Sequence, residues 1–261
     1  MLKWYPPVNS LDREGIILLL TQILLSSSAC ANADLALLNA AYMVLFQLPD
    51  DDEHKPRALG LLANIHMLRY DIYSSIDPSM YDVYFSGLRK AISMLDEAIT
   101  LVRVDHPKKS WLLLSQCMAL QRLMSHQVDA PDAFAVSLTR LESNVILLPE
   151  DETKKPALLH YLGVSLGHRF TQKRETVDLD KAVLILQEAV RLTSDDSPGM
   201  VLFLSDLDES FSRRFNALQH PSDTYQSLLT RKRILRLTSD EDLQKVYRLN
   251  ALGLSFFLHG Q

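Results

Sequence analysis

The chain has 261 residues, of which 47% are hydrophobic and 23% charged, and carries a net charge of −5. That length supports a large core, while only 8 glycines and no alternating apolar and polar runs argue against sheets. The mild acidity gives no support to nucleic-acid binding, which needs a basic stripe.

Met1–Ser10 contains Pro6 and Pro7 and reads as an irregular lead-in. The apolar stretch from Ile16 to Ala33 resembles a secretory h-region, but Asp12 and Glu14 offset Lys3 and Arg13, so a terminal repeat helix is expected instead. It is also short of the about 20 apolar residues that a membrane span needs, and no membrane partner is expected. A second helix is expected over Asp34–Pro49. The acidic turn Asp50–Pro56 leads into Arg57–Tyr70, with proline placed where its missing N–H costs nothing. Tyr70–Leu88 concentrates Tyr70, Tyr73, Tyr81, Tyr84 and Phe85. This segment reads either as an enlarged connection packed on its neighbours or as a partner-contact loop. Leu88–Leu101 is a helix, Asp105–Lys109 a turn, and Ser110–Met124 a helix. Gln127–Asp132 is a short connection before Phe134–Pro149, and the turn Glu150–Pro156 precedes Ala157–Phe170. His168–Asp178 connects to Asp178–Thr193, the clearest helix of all. There Leu179, Ala182, Val183, Leu186, Ala189 and Val190 recur with a helical period. Asp178 is expected to cap the first turn and Arg191 to complement the dipole in the last. Leu184 and Ile185 add a second apolar side, so cover from two directions is expected. Ser194–Pro198 is again an acidic turn, followed by helices over Gly199–Phe215 and Asp223–Thr238. After Ser239–Asp242 the last helix, Leu243–Gly260, has no partner helix behind it. Its apolar face is left for self-association, for continuation of the chain, or for another molecule.

The elements repeat. Closing leucines at 48, 101, 148, 192 and 237 stand 53, 47, 44 and 45 residues apart, and each is followed by an acidic turn and a further apolar helix. Self-similarity at such a period marks stacked units that cover one another's apolar faces. The unit is a hairpin of helix A followed by helix B. The expected organisation is one domain over 1–261, with repeats near 10–49, 50–103, 104–149, 150–193 and 194–238 and a final helix at 239–261. Gly163 and Gly253 hold equivalent places, where a small residue lets helices approach closely.

The segment LGVSLGHRF, followed by LDKAVLILQEAVRLTSDD, resembles the long tetratricopeptide-like repeats of fungal proteins. Such arrays often precede a CHAT-type caspase-like peptidase or another effector domain. The resemblance implies an all-α, right-handed superhelical solenoid of about five helix-turn-helix repeats, with a concave face lined by A helices. It implies a non-enzymatic scaffold for a protein or peptide, or alternatively the sensor module of a larger effector. The family's A helix carries asparagines in its groove. Here His160, Tyr161 and Val164 stand at such places, and Asn64 and Asn250 survive in their repeats. Asn64, His160 and Asn250 are therefore the expected groove residues.

Catalytic patterns are weak. Asp50–Glu53 invites comparison with magnesium-binding DDxxD segments of all-helical synthases, but His54 stands where the fifth acid belongs. The same acids recur at every turn into helix A, where they serve its N-terminus. His160 and His168 lie about 80° apart around a helix and make no ready chelate. His126 and Asp129 form only a lone pair, and no nucleophile elbow or phosphate loop occurs. No cofactor or metal is expected. Cys30 and Cys117 sit in apolar stretches and read as buried reduced thiols of a cytoplasmic protein. The A-helix exits are basic: Arg69, Arg122, His168, Arg169, Arg213 and Arg214. They complement helix C-termini, and as a basic edge they would receive an acidic protein or peptide.

Overall fold

A computed structural model describes residues 13–24, 43, 48–74, 81–124 and 132–259. Among them lie ten helices and no strand: α1 (Arg13–Leu24), α2 (Lys55–Ser74), α3 (Tyr81–Leu101), α4 (Lys109–Met124), α5 (Asp132–Ile146), α6 (Lys155–Lys173), α7 (Val177–Arg191), α8 (Met200–Leu218), α9 (Pro221–Leu237) and α10 (Gln244–His259). The expected helix over Asp34–Pro49, Cys30, and the pair His126 and Asp129 lie outside the described residues, apart from Met43, Leu48 and Pro49. The chain divides into two compact units, Met1–Leu148 and Pro149–Gln261.

In the first unit α1 packs on α2, α2 on α3 and α4, α3 on α4, and α4 on α5. Leu20, Ile23, Leu59, Leu62, Ile65, Leu88, Leu95 and Leu112 are fully buried at these seams. Much of the connection expected over Tyr70–Leu88 is helical: α2 continues through Ser74 and α3 begins at Tyr81, and 75–80 lie outside the described residues. Tyr70 and Phe85 are buried and meet edge to face, with ring centroids 5.9 Å apart. They act as core, because aromatics carry more apolar area than a connection can leave in water.

In the second unit α6 packs on α7, α7 on α8, α8 on α9, and α9 on α10. The periodic face of α7 is buried at all six predicted positions. Each large side chain there contributes roughly 2 kcal/mol of burial. Cover from two directions holds, by α6 and α8, but Leu184 faces a third, open side and is 63% exposed. The close approach at Gly163 is present: a Cβ there would stand 2.6 Å from Leu186 Cγ. At Gly253 a Cβ would meet nothing within 4 Å.

Two polar devices recur along the helices. The first ties the start of α2, α4 and α10 to the segment before it. The Lys55 amino group donates to the Leu48 carbonyl (3.1 Å), Lys109 to Val102 (3.1 Å) and Ile99 (2.6 Å), and Lys245 to Thr238 (3.2 Å). In each case the lysine lies 7 residues after an acceptor, and Val102 and Thr238 directly follow α3 and α9. Those terminal carbonyls have no intrahelical donor, and a cation also complements the dipole. Lys155 starts α6 at the corresponding place and is buried, whereas α8 starts with the fully buried Met200. The second device is an arginine clasp 9 residues long. Arg169 grips Asp178 through two bonds of 2.8 and 2.5 Å, and Arg214 grips Asp223 through bonds of 3.0 and 2.6 Å. Asp178 therefore does not cap α7: Thr176 is the N-cap residue and no side-chain cap bond forms there. Its carboxylate is drawn to the guanidinium, which offers two charge-assisted bonds in place of one neutral amide. Arg191, as expected, sits in the last turn of α7, bound to Glu188 and Glu150.

Candidate functional site: the open face of α6 and α8

Helices α6 and α8 carry their open residues in stripes. Tyr161, Val164 and His168 lie along α6, and Leu202, Glu209 and Arg213 along α8, all partly or fully exposed. The α6 stripe is spaced i, i+3, i+7 and the α8 stripe i, i+7, i+11, so each stays on one side of its helix. Where the stripes meet, the buried His160 places Nε2 2.5 Å from Asp206 Oδ2 and stacks on Phe203 with centroids 4.3 Å apart. Arg213 donates to Glu209 Oε1 at 3.0 and 2.5 Å and to the Gly167 carbonyl at 3.4 Å. His168 is held below the ordinary histidine range, first by burial and then by the Arg213 guanidinium, with Glu209 and Asp206 pulling the other way. It is therefore a neutral group with hydrogen-bonding nitrogens at pH 7.

The expected basic edge separates into two groups. Arg169 and Arg214 turn toward the N-termini of α7 and α9, where Arg214 also reaches Asp180 at 3.0 Å. Asp223 is the principal cause that raises the Arg214 pKa. Arg213 and His168 remain on the α6–α8 face. In the first unit Arg122 grips Asp71 through two bonds of 2.7 Å each, joining α4 to α2, and Arg69 is half-buried near His66. Of the expected groove residues, Asn64 donates to Gly60 O (2.8 Å) and Ser115 Oγ (3.0 Å), joining α2 to α4. His160 joins α6 to α8, and Asn250 is exposed on α10. Asp178, Asp206, Glu209 and Asp223 were not expected at these places. The equal Arg–Asp spacing of 169 to 178 and 214 to 223 is the sequence signal that marks two of them.

The acids of the turn before α2 act locally: Asp52 accepts the His54 amide at 2.9 Å and Asp50 binds Lys55 at 2.8 Å. Among the described residues no group of three His, Cys, Asp or Glu side chains is placed to hold a metal ion. The His160–Asp206 pair has the composition of an acid–base dyad. However, the ring lies against Phe203 and is 4% exposed, which closes it to a substrate. Cys117 is buried, and burial pushes its thiol up and away from thiolate chemistry. Among the described residues no helix is long and apolar enough to cross a membrane. No protein-family model matches the sequence, and no curated protein matches it.

Proposed function

We propose that the chain is a non-enzymatic recognition scaffold, a right-handed array of tetratricopeptide-like hairpins that holds a protein or peptide against its A helices. The observation that carries this reading is the α6–α8 stripe, which combines apolar contacts at Tyr161, Val164 and Leu202 with hydrogen-bonding groups at His168, Glu209 and Arg213. Mixed apolar and polar surface, held on rigid helices, suits an extended peptide. An acidic side chain on the partner would compete with Glu209 for Arg213. That arginine's side chain is 34% exposed, against 11% for Arg169 and 14% for Arg214. The Arg169–Asp178 and Arg214–Asp223 clasps and the lysine bonds spend their charge on joining helices, which is what a scaffold requires.

The test places a photo-cross-linking residue at Leu202, or as a control at Leu184 on the far side of α7, in the full chain. Cross-linking of a discrete protein or peptide in a cell lysate at 202, lost on Arg213→Glu and absent at 184, is the expected result. Equal yields at the two positions, or no dependence on Arg213, overturn the proposal.

A further inference from the structure

We draw no further inference here: the strongest candidate, the open apolar face at the start of α10 formed by Leu243, Val246 and Tyr247, carries nothing, because nothing in the structure shows what covers it.

Discussion

At the scale of single residues, His66 carries the most consequential placement. It is 4% exposed in α2, and burial, then Lys90 and Arg69, lower its pKa to about 4. The unfolded chain, with an ordinary pKa near 6.5, binds a proton first as pH falls. The stability that neutral His66 contributes is therefore complete above about pH 6.5 and is lost as pH falls toward 4, to a total on the order of 3 kcal/mol. Urea titrations at pH 7 and pH 4.5 should show that loss, and His66→Leu should remove most of the difference. Backbone conformation gives a second prediction at this scale. Arg174 and Gln219 end α6 and α8 in the left-handed region, with φ of 59° and 53°, and their amides bond to Phe170 and Phe215. Glycine holds that conformation without a Cβ clash, so Arg174→Gly and Gln219→Gly should each raise stability by about 0.5–1 kcal/mol in thermal melts. Gly163→Ala should lower it by about 1–3 kcal/mol, since Leu186 and the Ala182 carbonyl leave a Cβ no room.

Between elements, the arginine clasps bind α6 to α7 and α8 to α9. The Arg169 and Asp178 side chains are 11% and 2% exposed, so removing one partner leaves a buried charge. Arg169→Met alone should destabilise by about 3–5 kcal/mol, whereas Arg169→Met with Asp178→Leu should recover most of that loss. For the same reason, reversal of Arg169 or Arg214 to glutamate tests the fold before it tests any partner, and Arg213 is the informative position. Much of this level was legible in the sequence. The 3.6-residue period of α7, the proline starts and the closing leucines set the helices and their order, because burial of one face leaves a pattern in the residues themselves. The partners of the charged groups were not legible from the helix exits alone. A basic residue at a helix end has the same local signature whether it meets solvent or a carboxylate nine residues on, and only packing distinguishes the two. The extent of α3 was missed for a related reason: Tyr81, Asp82 and Tyr84 carry little helical propensity, and tertiary contact at Phe85 holds that turn.

For the whole molecule, the candidate face was only partly foreseen. His160, His168 and Arg213 were among the expected residues and come together on α6 and α8, while Asn64 belongs to the other compact unit and Asn250 to α10. In each unit the helices meet mainly their sequence neighbours. Stability in such a chain is a sum of local terms and nearest-neighbour terms. Hydrogen exchange should report this: Gly163→Ala should speed exchange in α6 and α7 more than in α9 and α10. Uniform acceleration across the second unit would instead mean one indivisible core.

The lysine bonds have a consequence for how such a chain can be lengthened or cut. Lys109 ties the start of α4 to the end of α3, so the turn between them works as a closed joint. The connection between α8 and α9 is closed in a different way, by the Arg214–Asp223 clasp that spans Gln219 and His220. Neither connection is then a tolerant splice point. A four-residue glycine–serine insertion after Asp105 and the same insertion after Gln219 should each lower the melting temperature, and an unchanged melting temperature for either would mean that its tie contributes little.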